Sequence, residues 1–310
     1  MSGGVAAHPR GVVLVLLVLV TGILRPSFLA YSNLLGVLAA NAPLGIVTCG
    51  VTWVMISGMF DLSVGSLMSL VSITVAVMLQ AHWALAPLIV ASLAIGAGAG
   101  AINGFFVGVV GANSVIVTLG GWLAYAGLAE LVSGGEYVFP TNASPSFLTI
   151  GQGHVLGIPA PGVIFIVLLI VMQVILRYTV SGRYIYAMGS RESAARLAGV
   201  HVRRYRFWLY VVSGTLAALA AIVITAWSDS GTFIMGVNYE FYAITAAVLG
   251  GVALSGAVGS TLGGAGLGVA ILAFLNNAQV LLGISTNIQL ITEGAVLAFV
   301  VAADSRRRRR

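Results

Sequence analysis

Three groups of residues in this sequence have types and spacings that suggest chemistry, and the chemistry is recognition. The first runs from Gly182 to Val202 and reads Gly-Arg-Tyr-Ile-Tyr-Ala-Met-Gly-Ser-Arg-Glu-Ser-Ala-Ala-Arg-Leu-Ala-Gly-Val-His-Val. Ser190 is expected to cap a short helix, Glu192 to favour its first turn and Gly199 to end it. Ala194, Ala195 and Ala198 then form a small, smooth face flanked by arginines such as Arg183, suited to docking in a partner's groove. An ordinary basic loop touching anionic lipid is the alternative.

The second group is Gly58-Met59-Phe60-Asp61-Leu62-Ser63-Val64-Gly65-Ser66, with Asp61 where one apolar run ends and the next begins. Its carboxylate can accept from the free amides that open the next helix. It can also handle solute directly, since a charge at membrane depth is costly to keep. The third group is neutral: Asn103, Asn113, Ser114 and Thr118 in the first half, Asn276, Asn277, Gln279 and Gln289 in the second. A path for an uncharged, hydroxyl-rich solute needs such groups, which exchange solute bonds for water bonds without fixed charge; bonding between helices is the alternative use. Trp53, Trp122, Trp227 and Tyr239 can stack on a sugar face or mark the membrane interface.

No catalytic constellation accompanies these groups. The chain has no lysine, so no Walker-type phosphate loop exists. His8, His82, His154 and His201 are scattered without metal-ligand spacing. Cys49 is the lone cysteine, sits in an apolar run and reads as packing.

The elements that carry these residues are membrane helices. Hydrophobic residues make up 59% of the chain, and 40 glycines stand against 8 prolines, a balance no water-soluble domain carries without exposing apolar surface. Because backbone polar groups in hydrocarbon must pair internally, each apolar run of about 20 residues reads as a helix. Ten runs are expected, near 11–24, 43–58, 62–79, 84–110, 114–132, 161–177, 207–227, 240–254, 260–282 and 288–303, forming one all-α bundle over 1–310. The first resembles a secretory signal peptide, but Arg25-Pro26-Ser27 offers no small-residue cleavage site, so an uncleaved span is expected. The segment from Tyr31 to Asn41 is read as too polar to cross and as lying along the outer face.

Charge sets the orientation. Seven of the fourteen arginines lie between Arg177 and Arg206 and five between Arg306 and Arg310, which marks cytoplasmic segments rather than a nucleic-acid footprint. Six spans before the 177–206 loop and four after it put that loop, both termini and the basic tail at 304–310 on the cytoplasmic side. The loop at 133–159, with Glu136, Pro140, Asn142, Pro145 and Pro159, then falls outside, as does the polar 229–238 loop. The halves also echo each other: Asn103 precedes Thr118 by the same interval as Asn277 precedes Thr292, and Asp61 to Ser66 resembles Ser255 to Ser260. Internal repeats of this kind frame a central pathway in transporters, although Gly-rich helices also look alike by chance.

Asp61-Leu62-Ser63-Val64-Gly65-Ser66, the Gly182 to Gly199 segment, and Ala246-Ala247-Val248-Leu249-Gly250-Gly251 running into Leu254-Ser255-Gly256 and Gly259-Ser260 fall in the order found in a known class. The chain resembles the permease subunit of bacterial ATP-binding-cassette importers for ribose, xylose and related sugars. The resemblance implies about ten helices in the inner membrane, a second permease identical or related, two ATPase subunits inside that bind the ATP and Mg, and a sugar-binding protein outside; the chain itself holds no cofactor. It implies that the segment from Glu192 to Gly199 is the coupling helix, with Arg183, Ser190, Ala194 and Ala195 completing the docking surface. Asp61, Ser63, Asn103, Thr118, Asn277 and Gln289 are the candidates for the pathway. Departures from the family pattern are Met59-Phe60 before the aspartate, Ala257 where glycine is common, Asn113-Ser114 in place of a Pro-containing stretch, and Glu293. A self-contained carrier driven by protons or sodium, or a permease for a nucleoside or amino acid, remains the alternative; buried carboxylates for ion coupling are limited to Asp61 and Glu293 on this reading.

Overall fold

Small residues decide how this chain packs, because lipid supplies no hydrophobic drive between helices and association rests on close backbone approach. The computed structural model describes residues 8–140 and 144–307; Asn142 and Arg308 to Arg310 lie outside the described residues. The elements are α1 (His8–Leu24), a 3-10 turn (Pro26–Leu29), α2 (Tyr31–Ile56), α3 (Val64–Gln80), α4 (Leu85–Gly104) continuing through a π-helical turn (Phe105–Val110), α5 (Ser114–Ser133), α6 (Pro145–Gln152), strands β1 (His154–Val155) and β2 (Ile158–Pro159), α7 (Ala160–Tyr178), α8 (Val180–Ser190), α9 (Glu192–Leu197), α10 (Val202–Ser228), α11 (Tyr239–Leu249), a π-helical turn (Leu262–Gly268) leading into α12 (Val269–Leu281), and α13 (Thr286–Arg307).

The apolar runs expected from the sequence carry helices, but the run near 240–254 leaves its helix at Leu249, and α1, α3 and α11 are shorter than a full span. Six helical stretches among the described residues are long and apolar enough to cross a membrane: Tyr31–Ile56, Leu85–Val110, Ser114–Ser133, Ala160–Tyr178, Val202–Ser228 and Leu262–Leu281. The protein is thus an all-α, multi-pass membrane protein whose only paired strands among the described residues are the two-residue hairpin β1–β2. The segment from Tyr31 to Asn41 does not lie apart along a face, as its polarity suggested. It is the first part of α2, because Asn41 returns its amide to the Val37 carbonyl at 2.9 Å and Asn33 pairs with Asn277 through bonds of 2.9 and 3.0 Å. Pro43 lies buried inside α2 and has no N–H to give the Ala39 carbonyl.

The centre is α2 and α10, each two-thirds buried, while α5 is only 17% buried and faces outward. A glycine ladder seats α4 on α10. Gly96, Gly100, Gly104 and Gly108 recur every fourth residue, and a Cβ on any of them would strike the α10 backbone at Gly214, Tyr210, Phe207 and Arg203 respectively. Spacing by four puts all four glycines on one face, so the two helices touch main chain to main chain over three turns.

Candidate functional site

The Arg-rich loop folds into a protrusion. After α8 the chain is extended at Arg191, turns into α9 and ends at Gly199, whose φ of +81° favours a residue without Cβ. The Gly199 amide bonds the Arg196 carbonyl and the Val200 amide bonds the Ala195 carbonyl, both at 3.0 Å, while Ala195 and Val200 are buried together. This is the Schellman arrangement, with its apolar contact in place. Two sequence readings need correction. Ser190 closes α8 and does not cap α9; Arg191 holds the cap position, without a side-chain bond. Ala195 turns inward, so the exposed face is Ala194, Leu197 and Ala198, with Leu197 91% exposed, as helical spacing of three and four residues requires. Arg183 is exposed on α8.

Glu192 ties the protrusion to α10. Its carboxylate accepts from Arg196 Nε at 3.0 Å and from the Arg196 and Arg206 guanidinium groups at 2.5 Å. The Arg196 bond holds the carboxyl below the usual carboxylate range, with partial burial opposing and Arg206 assisting. Behind the protrusion α8 presses on the rest of the bundle. A Cβ at Gly189 would strike the Ile56 carbonyl of α2 and lie 2.6 Å from the Ala257 amide. Ala257 N donates to Ile56 O at 2.7 Å, Tyr186 Oη donates to Gly259 O at 2.7 Å, and a Cβ at Gly256 would lie 2.8 Å from the Gly58 Cα. The two echoing loops after α2 and α11 therefore meet at the base of α8.

Asp61 is a buried node. One carboxylate oxygen accepts from Ser63 N at 3.1 Å and Ser63 Oγ at 2.7 Å, the other from Ser213 Oγ of α10 at 2.7 Å. Asn103 of α4 donates to Ser63 Oγ at 2.8 Å, and Tyr125 Oη of α5 donates to Ala99 O at 3.0 Å beside it. Asp61, Ser63 and Asn103 are thus brought together, joining four helices. Thr118, fully buried, donates to Ser114 O of its own helix at 2.8 Å. Asn113 caps α5, accepting from Val115 N at 2.9 Å. Gln289 donates to Ile284 O at 2.7 Å in the turn before α13.

Asn277 stands elsewhere, on a set of adjoining cavities between α2, α11, α12 and α13. One of about 170 Å³ is walled by Asn41, Tyr239, Tyr242, Thr245, Asn276 and Glu293. It shares Ala40, Asn41 and Asn276 with a wider one of about 590 Å³ that reaches Asn33 and Asn277, and shares Tyr242 and Glu293 with a third. Tyr242 Oη donates to Glu293 at 2.7 Å, and Asn276 Oδ1 has no hydrogen-bond partner among the described residues. Of the aromatics expected to meet solute, Tyr239 lines this cavity, whereas the Trp53 indole is buried on Thr261 Oγ at 3.0 Å. Asn33, Asn41 and Tyr242 were missed in the sequence; the first two fell in the segment read as peripheral. Glu240 was missed as well. It is 2% exposed, wedged against Gly65 with the Trp122 side chain beside it, and one of its oxygens has no partner among the described residues.

Many apolar helices, a protrusion braced on the two echoing loops, and an amide-lined cavity between helices fit a membrane transport protein. The chain belongs to the family described as the permease component of the branched-chain amino acid transport system, whose model matches residues 33–301. It is 35% identical to the ribose import permease protein of Haemophilus influenzae, over 95% of this chain and 91% of that one. The ribose import permease protein of Bacillus subtilis is likewise 35% identical, covering 95% and 91%. The L-arabinose transport system permease protein of Escherichia coli is 34% identical, covering 94% and 88%. No solved structure matches the chain.

Proposed function

We propose that this chain is the membrane-spanning permease subunit of an ATP-driven importer for a monosaccharide. On this reading ten helices cross the inner membrane, both termini and α9 face the cytoplasm, and the subunit works beside a second permease, two ATPase subunits that bind ATP and Mg, and an external binding protein. The ribose and arabinose transport named for its relatives supports the solute class. The observation that carries the mechanism is the contact of Gly189 with Ile56 and Ala257. It connects a protrusion shaped for docking to α2, which walls the amide-lined cavity, so movement of partner ATPases reaches the solute path through packed backbone. Alternating access follows when the bundle has two arrangements that the ATPases bias.

A second reading has one observation in its favour. Glu240 and Glu293, with Asp61, place three carboxylates within the bundle, as an ion-coupled carrier requires. The assay that separates the readings is uptake of radiolabelled D-ribose, L-arabinose or D-xylose into proteoliposomes. Uptake is expected to need the ATPase subunits, ATP and the binding protein; uptake by the purified chain alone under a proton or sodium gradient refutes the proposal.

A further inference from the structure

The cavity between α2, α11, α12 and α13 has one charge and no counter-charge. Glu293 stands in its wall, its side chain bonded by the neutral Tyr242 hydroxyl and by no other group among the described residues. No arginine, lysine or histidine lines this cavity or the two that adjoin it. A second acceptor, Asn276 Oδ1, is buried in the same wall without a donor among the described residues, although buried oxygens of this kind are ordinarily paired. The wall therefore offers more acceptors than the protein satisfies, one of them anionic. The complement is a solute rich in donors and free of negative charge.

We propose that Glu293, held in place by Tyr242, is a selectivity residue within the permease. It accepts adjacent hydroxyl groups of a neutral polyol, with Asn276 as the second acceptor, and excludes solutes that carry a carboxylate or phosphate. A carboxylate takes two O–H donors on its paired oxygens and strengthens each bond by its charge, which suits a vicinal diol. The same charge in a cavity of low polarisability repels an anion far more than it would in water. A solute that is a net anion, such as a sugar acid or a sugar phosphate, is therefore a poor occupant. This proposal rests on reading the cavity as the solute path.

The test needs no identified solute, because the chain's one cysteine, Cys49, is buried and leaves a silent background. Ala40, which is exposed and lines two of the cavities, is replaced by cysteine in the full chain in nanodiscs. Its rates of modification by a cationic trimethylammonium methanethiosulfonate and by the anionic sulfonate reagent are then compared, each divided by its rate on a free thiol. The cationic reagent is expected to be favoured at least about tenfold, the preference to fall towards one when Glu293→Gln is added, and Glu293→Asp to retain it. Equal rates with Glu293 present, a preference unchanged by Glu293→Gln, or no reaction with either reagent overturns the proposal. In the uptake assay Glu293→Gln is expected to slow sugar entry at least fivefold while ATP hydrolysis continues. Normal ATP-driven uptake with a flat thiol ratio removes this inference and leaves the proposed function standing, whereas absent ATP-driven uptake removes the function itself.

Discussion

Replacing Gly100 by alanine tests whether the glycine ladder holds α4 on α10. A carbon–carbon contact settles near 3.5–4.0 Å, yet the new Cβ would meet the Tyr210 carbonyl oxygen and lie 2.9 Å from its carbon and 3.0 Å from the Val211 Cα. All three atoms are main chain, so no rotamer change relieves the clash, and the helices must part by roughly half to one ångström. Such a gap forfeits about a quarter to a half of each dispersion contact along the ladder, and overpacking of this kind costs about 1–3 kcal/mol. Alanine's helix preference returns at most about 1 kcal/mol. Gly98 is the internal control. It lies two residues earlier on the same helix, is exposed, and has nothing within 4 Å of its Cβ position. Gly98→Ala should therefore leave stability unchanged or raise it by up to about 1 kcal/mol. Thermal unfolding of the purified protein, followed by fluorescence-detected size exclusion, reads both. Equal melting of the two variants, or a more stable Gly100→Ala protein, refutes the close-approach argument.

Three further outcomes follow from particular residues. Ala257 has φ of +61°, a conformation costing an L-residue about 1–2 kcal/mol, so Ala257→Gly should raise the melting temperature unless the gain in unfolded-chain freedom cancels it; a clear fall refutes the claim of strain. Glu192 has a lowered pKa, so its contribution is complete above its ordinary value of 4.5 and is lost as pH falls through the lower folded value. Since the carboxylate is 36% exposed, that contribution is about 0.5–1 kcal/mol after solvent screening; Glu192→Gln should speed amide hydrogen exchange in α9 roughly two- to fivefold at pH 7. Asp61→Ala removes the acceptor for Ser63 and Ser213 inside the core, with a cost of roughly 2–5 kcal/mol; yield of monodisperse protein should fall sharply, and wild-type yield and melting would contradict the node.

The helices were legible in the sequence because hydrocarbon leaves a long apolar run few alternatives. The protrusion was legible because Glu192 and Gly199 have local jobs, an acidic first turn and a left-handed end, that depend on nothing distant. What failed to show was whatever tertiary contact decides. Asn33 and Asn41 looked like loop residues; the partnership of Asn33 with Asn277 across 244 positions and the return of the Asn41 amide to the Val37 carbonyl explain their place in a membrane helix. Glu240 follows Asn238 and Tyr239 like any acid opening a helix, and its burial depends on the close approach of Gly65. Ala195 was assigned to the exposed face because identical small neighbours give no sign of which one turns inward; Val200 decides that.

Pro43 divides α2 into two arms. The first carries Asn33, Ala40 and Asn41 along the cavities, and the second ends at Ile56, pinned between Gly189 and Ala257. A continuous helix transmits displacement as a rigid rod, whereas one interrupted at proline has a knee where a carbonyl is already free. Under the proposed coupling, a shove on the pinned end would arrive at the cavity as a change of tilt in the arm that bears Asn33 and Asn41.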